Sequence, residues 1–226
     1  MHLIPANDFE TVKAGYRDVT ENTPHMRQYA RWVYGKHPTD EGLMSLLGRG
    51  ELYLWKDGGD VAGMIAIVMG QEQAYEGIPW AETLANDQVA TIHLLAVCPP
   101  YQGRGLGSRM LAAAEVLAAQ KGRKVLRLDV LASNLPAQRL YEKAGFSYRG
   151  KQNLYAENTG WTDFLFYEKM WERSVATVIG RNKDPEAERV LQERFGKDTV
   201  IALATTENGG PQVRYVNAHY EHRTDG

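Results

Sequence analysis

One stretch, VATIHLLAVCPPYQGRGLG at residues 89–107, constrains the fold more than any other part of this 226-residue chain. A run of strand-favouring residues ends in glycines at 103, 105 and 107, with Arg104 between two of them. An alanine-rich amphipathic pattern follows over 105–120 and stops at Gly122. A buried strand that turns on glycines into a helix belongs in an α/β layered domain. The first N–H groups of a helix have no intrahelical partners and carry partial positive charge, so such a turn suits an anion. Glycines let the anion come close, and Arg104 adds a cation. The turn lacks the Gly-Lys-Ser/Thr ending of a P-loop and does not fit G-x-G-x-x-G. The same glycines would also serve a tight turn that binds nothing.

KVLRLDVL, residues 124–131, reads as the next strand, with a parallel pairing across the crossover. Asn134 caps a helix that runs to about Ala144 and ends at Gly145. FSYRG and TDFLFYEKMW read as two further strands joined through KQNLYAENTGW. Upstream, residues 8–33 read as two helices broken near Thr23-Pro24. ELYLWKDGGDVAGMIAIVMG reads as a hairpin about Asp57-Gly58-Gly59-Asp60. Residues 70–88 form a polar interruption too long for an ordinary connection. It carries Glu72, Glu76, Glu82 and Asp87 with Tyr75 and Trp80. These would suit a wall facing a cationic amine, and equally a solvated surface insertion.

The composition changes after Trp171. Residues 184–195 read as a helix capped by Asp184, and 198–221 as a hairpin around Asn208-Gly209-Gly210. The predicted architecture is therefore an α/β domain over 1–171, a mixed sheet flanked by helices, followed by a helix and β-hairpin over 172–226.

Acidic and basic residues nearly balance, 28 against 26, so charge does not point to nucleic acid or an anionic membrane. The single cysteine, Cys98, excludes an intrachain disulfide framework and a cysteine-rich zinc site, and it reads as a packing residue rather than a nucleophile. No apolar run approaches the roughly 20 residues of a membrane span. MHLIPANDFE lacks the basic start and apolar core of a signal peptide, so a cytoplasmic setting is expected.

The QGRGLG turn resembles the Q/R-x-x-G-x-G/A signature of the GNAT superfamily of acyl-CoA N-acyltransferases, with Gln102, Gly105 and Gly107 filling the pattern. NLPAQRLYEKAGF, residues 134–146, resembles the same superfamily's N-x-x-A-x-x-x-Y-x-x-x-G-F segment. The two motifs stand in the right order with a strand and helix between them, and the resemblance covers about residues 1–171. It implies a GNAT-like fold and an N-acetyltransferase that moves an acetyl group from acetyl-CoA to an amine. It also implies that the turn, Gln102, Gly103, Arg104, Gly105, Leu106, Gly107 and Ser108, holds the pyrophosphate. Leu95 and Val97 would pair their backbone with the pantetheine arm.

Tyr141 matches the position of a tyrosine near the CoA sulfur, and Asn134 a position that contacts CoA, although its cap role alone would explain it. His93 matches a strand face on which some members carry a base, and imidazole titrates in the useful range. Strand alternation places Thr91, His93, Leu95 and Val97 on one face. A structural role for His93 stands beside the catalytic one. No metal site is expected.

The tail sequence DTVIALATTENGGPQVRYVNAHYE resembles the opening hairpin of a pyridoxamine-phosphate-oxidase-like FMN-binding split barrel, with Arg214 at a position that can help hold FMN. One strand pair cannot enclose a flavin, so FMN is not assigned. Its apolar faces need a cover, supplied either by the acetyltransferase domain or by the same segment of a second chain, and pairing between chains is the favoured expectation because it also satisfies the strand edge. Two other readings of function remain at this stage: a catalytically idle acyl-CoA-binding regulatory module, and a flavin-linked interaction protein.

Overall fold

The computed structural model describes residues 3–171, and the backbone of a hairpin within 198–219. The chain divides into two compact units, Met1–Arg173 and Ser174–Gly226. In the first, seven strands make one mixed sheet in the order β1-β2-β3-β4-β5-β7-β6. They are β1 (Leu3–Pro5), β2 (Leu52–Asp57), β3 (Asp60–Val68), β4 (Val89–Val97), β5 (Val125–Leu131), β6 (Ser147–Ala156) and β7 (Gly160–Met170). β4 and β5 pair parallel through the helix α3 (Leu106–Gln120), and the other neighbours pair antiparallel. The mixed sheet flanked by helices is the fold read from the sequence.

The sheet buries both faces. On one, α3 and α4 (Leu135–Lys143) cover Ile65, Ile67, Ile92, Leu126 and Leu128. On the other, α1 (Phe9–Asn22) and α2 (Asp40–Gly48) cover Leu52, Leu54, Met64 and Ala96. Both α1 and α2 begin with side-chain caps: Asp8 accepts from Thr11 N–H at 2.8 Å and Thr39 from Gly42 N–H at 3.0 Å.

Only the first of the two helices expected over 8–33 forms. Thr23 precedes a proline and is extended (φ −75°, ψ 124°), which ends α1. Residues 24–32 then run as turns, with His25 and Arg31 at positive φ, 58° and 56°. This strap is pinned across the domain. Arg31 donates to Thr159 O at 3.1 Å, Asn158 to Arg31 O at 2.8 Å, and Ser133 to Tyr29 O at 2.8 Å. Two elements escaped the sequence reading: β1, which is very short, and α2, signalled by Thr39-Asp40-Glu41.

The connector expected over 151–161 is mostly strand. β6 and β7 form a long hairpin in which Lys151 pairs with Asp163 at 2.7 Å and the Tyr155 and Trp161 rings meet at 5.9 Å. One face of this hairpin is solvated, and its polar alternation reads as loop when the partner strand is out of view. The hairpin about Asp57–Asp60 forms as expected, with Asp57 opposite Asp60.

The interruption at 70–88 is not simply solvated. Tyr75 and Ile78 are buried against Phe166. Trp80 lies over the Arg127 guanidinium at 4.1 Å, and Glu168 accepts from Ala81 N–H at 2.7 Å. Arg127 and Glu168 are each 1% exposed and pair at 3.4 Å, with Arg149 also 2.7 Å from Glu168. Arg127 reaches Gln71 Oε1 at 2.6 Å and Glu82 O at 3.1 Å, so one buried ion pair fastens the insertion to the sheet.

In the second unit, β8 (Asp198–Glu207) and β9 (Gly210–His219) pair antiparallel with Glu207 opposite Gly210. The turn expected at Asn208 and Gly209 lies outside the described residues. The helix expected over 184–195 lies outside the described residues. Among the described residues no helix is long and apolar enough to cross a membrane.

Breaking a buried pair from one side leaves an uncompensated charge. Glu168→Gln is expected to lower stability by about 3–5 kcal/mol, and Arg127→Met in the same chain to recover most of the loss. Urea unfolding followed by circular dichroism measures both.

Candidate active site

The glycine turn earns its residues for different reasons. Gly103 and Gly105 sit at φ +74° and +72°, in the left-handed region that disfavours side chains. Gly107 is helical, but a Cβ there would stand 3.0 Å from Leu140, so it permits α3 to pack on α4. The Gln102 amide donates to Val97 O at 2.9 Å and to Thr23 Oγ1 at 3.0 Å, which ties the turn to the end of β4 and to the strap. Gln102 thus shapes the turn with its side chain. Arg109 N–H is the first on the helix to bond back, to Gly105 O at 3.3 Å. The N–H groups before it, from Gly103 to Ser108, meet no acceptor among the described residues.

Beyond the turn, the sheet opens. β4 and β5 pair only from Val89↔Val125 to Ile92↔Leu128. β4 carries a bulge against β3: Ala66 pairs with His93 and Met64 with Ala96, so Leu94 and Leu95 stand opposite one residue. Leu94 has φ 52°, and its carbonyl accepts from the buried Tyr16 hydroxyl at 2.8 Å. The strand ends part, and a cleft of about 650 Å³ lies between them.

The bulge corrects the face assignment. Leu95 and Val97 join the core cluster that holds Ile92, while Leu94, Ala96 and Cys98 join the opposite one. His93 faces Tyr75 and Asp129, so it does not share a face with Leu95 and Val97. The extra residue shifts the two-residue period by one.

Gln102, Gly103, Gly105, Leu106, Gly107 and Ser108 line the cleft, as do His93, Leu95, Val97, Asn134 and Tyr141. Arg104 does not: its guanidinium lies 6.0 Å from the Tyr101 ring and borders a separate recess. The Asn134 side chain accepts from Ala137 N–H at 3.3 Å, so its oxygen is engaged as the α4 cap. Tyr141 is 7% exposed, and burial, with Asp129 nearby, raises its pKa. Tyr141, which lines the cleft, is therefore protonated at neutral pH.

The structure adds groups that sequence reasoning missed. Asp129 lines the cleft, 3.9 Å from His93 Nδ1, and accepts from the Tyr75 hydroxyl at 2.6 Å. Its signal was a carboxylate inside the apolar run KVLRLDVL. His93 Nε2 is buried with no hydrogen-bond partner among the described residues. His37, between the strap and α2, borders the same cleft and meets the Trp32 ring at 5.8 Å. Its pKa is lowered by the protein packed around it, while Asp129 opposes the shift and His93 adds to it. No sequence pattern near His37 announces this position.

The insertion is not a wall of this cleft: Glu72, Glu76, Glu82 and Asp87 are exposed and do not line it. Ala156, Asn158 and Thr159 of the β6–β7 turn do. Among the described residues no cluster of three metal-ligating side chains forms.

A family model described as acetyltransferase (GNAT) family matches residues 16–146, more than half of the chain. The chain belongs to the GNAT acetyltransferase family. It is 29% identical over 154 residues to the mycothiol acetyltransferase of Corynebacterium aurimucosum, a match covering 63% of this chain and 51% of that protein. The chain therefore spans about half the length of that relative. Its fold is similar to a ribosomal-protein-alanine N-acetyltransferase from Brucella melitensis, with TM-score 0.57 and 22% identity over 76% of this chain and 100% of that one. It is also similar to a Bacillus subtilis acetyltransferase in complex with CoA, with TM-score 0.53 and 15% identity over 76% and 99% of the two chains.

Within this GNAT domain Cys98 is buried, and burial, with Asp18 nearby, raises its thiol to about 11. A raised thiol pKa means thiolate accumulates only as pH climbs toward that value. At pH 8 the folded protein is expected to react with an aromatic disulfide reagent at least about a hundredfold more slowly than the urea-unfolded chain. Comparable rates would place Cys98 at an accessible, activated position.

Proposed function

We propose that residues 1–171 transfer the acetyl group of acetyl-CoA to a primary amine. The observation that carries this reading is a single cleft. It joins the unpaired N–H groups of the glycine turn, the parted edges of β4 and β5, and the trio His93, Asp129 and Tyr141. Its volume suits a cofactor-sized ligand. No observation favours an idle module, and the short tail hairpin gives no support to flavin.

Acetyl-CoA supplies the acetyl thioester. The residues from Gly103 to Ser108 hold its pyrophosphate through backbone N–H groups. The backbone of Leu95 and Val97 pairs with the pantetheine arm, and Asn134 flanks it. Asp129 attracts the ammonium form of the acceptor. His93 takes a proton from it, so that the neutral nitrogen attacks the carbonyl carbon. As the C–S bond breaks, the Tyr141 hydroxyl donates its proton to the departing sulfur, and the second proton of the acylated nitrogen restores the Tyr141 hydroxyl, while His93 passes the first to solvent. The acceptor is a small-molecule or peptide amine, and the setting is cytoplasmic.

Release of free thiol across a panel of amines tests the activity. Gly105→Asp is expected to weaken acetyl-CoA binding at least tenfold, about 1.4 kcal/mol, by bulk and by repulsion of phosphate. Tyr141→Phe lowers kcat by about 10²–10⁴ with little change in acetyl-CoA affinity. His93→Ala is expected to lower kcat by about 10²–10⁴ and to remove the ascending limb of the pH–rate profile. An unchanged profile assigns the base elsewhere.

The tail is proposed to pair with the same segment of a second chain, since a lone two-stranded hairpin is marginal and strand-edge addition satisfies backbone groups. Light scattering on the full chain and on one ending at residue 172 checks this. A full-length monomer counts against it.

A further inference from the structure

Asp129 is the one side chain of fixed charge that lines the cleft among the described residues. Arg27, Arg31 and Lys36, the cations of the strap and of the turn after it, do not line it. We propose that the end of the cleft around Asp129 selects a monoamine with an apolar, aromatic body and no carboxylate beside its nitrogen, a selection that rests on the acetyl-transfer reading for the identity of the reacting nitrogen.

Three observations carry this. The first is the condition of the carboxylate. Asp129 Oδ1 accepts from the Tyr75 hydroxyl at 2.6 Å and lies 3.9 Å from His93 Nδ1. Oδ2 accepts no hydrogen bond from the described residues, and the side chain is 25% exposed. One anionic oxygen is thus left for an ammonium, the donor that pairs best with it.

The second is the lack of an opposite charge. Arg31 comes closest to this end through its tie to the β6–β7 turn, and it gives a guanidinium N–H to Thr159 O at 3.1 Å. His37 has its pKa lowered by the protein packed around it, so it stays neutral at pH 7 and supplies no cation. A carboxylate on the acceptor would meet Asp129 with nothing to offset the repulsion, in a site screened less than bulk water.

The third is the wall. Ala30 and Trp32 of the strap and Phe164 of β7 line the cleft. Trp32 packs on the Tyr16 and His37 rings, with centroids at 6.2 and 5.8 Å. The polar side chains of the neighbouring turn are engaged within the protein: the Asn158 amide donates to Arg31 O at 2.8 Å, and the Thr159 hydroxyl to Gly160 O at 3.0 Å. Aromatic carbon whose polar neighbours are already bonded favours an apolar body over a hydroxylated one, because buried hydroxyls without partners are costly.

A matched panel tests the selection on the full chain at pH 8, above the ordinary histidine range. It comprises 2-phenylethylamine, phenylalanine, phenylalanine amide and glucosamine, each followed by thiol release from acetyl-CoA and by titration calorimetry. The amide has the bulk of the amino acid without its charge. 2-Phenylethylamine and the amide are expected to exceed phenylalanine and glucosamine at least about tenfold, in kcat/KM and in affinity. Asp129→Asn, checked for folding by circular dichroism, is expected to weaken 2-phenylethylamine about tenfold and to bring its ratio to phenylalanine near one.

Phenylalanine or glucosamine ranking with 2-phenylethylamine overturns the selection and leaves acetyl transfer standing. So does an amide as poor as phenylalanine, which would show that bulk is excluded rather than charge. Calorimetric binding in the expected order with no thiol release from any amine sinks the acetyl-transfer reading and leaves the selection standing. Neither release nor binding overturns both.

Discussion

The parting of β4 from β5 after Ile92 is the constraint on which the rest of the structure depends. A parallel pair joined by a helix would ordinarily stay bonded along its length. Here the ladder stops at Ile92↔Leu128, and the bulge at Leu94 and Leu95 turns the end of β4 aside. Leu94 holds a left-handed backbone, a conformation that a branched side chain rarely adopts. It persists because the structure over-determines it: Tyr16, wholly buried in α1, donates to its carbonyl, and the Gln102 amide holds the carbonyl of Val97. Local strain is thereby exchanged for a cleft inside a sheet, lined by strand edges that remain free to bond a ligand.

That cleft gathers groups from elements far apart in the chain. His93 comes from β4, Asp129 from β5, Tyr141 from α4 and His37 from the segment before α2. Tyr75 reaches Asp129 from the insertion, which is why the buried Arg127–Glu168 pair matters to the site although neither residue lines the cleft. A buried ion pair contributes little net stability, but it fixes one arrangement of the chain against others. Here it sets where Tyr75 and Trp80 lie, and through Tyr75 the carboxylate beside His93. The strap acts from the other side, with hydrogen bonds running from Gln102 at the turn to Thr159 at the far hairpin.

Sequence by itself determined the elements whose causes are local. The glycine turn, the capped α4, the Asp57–Asp60 hairpin and the parallel crossover all rest on backbone freedom, caps and periodicity over a few residues. Two motifs in order determined the family as well. Tertiary structure alone decided the rest, because the deciding partner lay elsewhere in the chain. Polar alternation over 151–161 became strand only with β7 beside it. His93 left the face of Leu95 because β3 offers one residue where β4 supplies two. Asp129 became a site residue only when Tyr75 and His93 arrived from distant segments. Arg104 borders the recess and not the cleft, a placement that its position in the motif does not reveal. Local rules set what each segment can be; which groups meet depends on pairing and packing across the sheet.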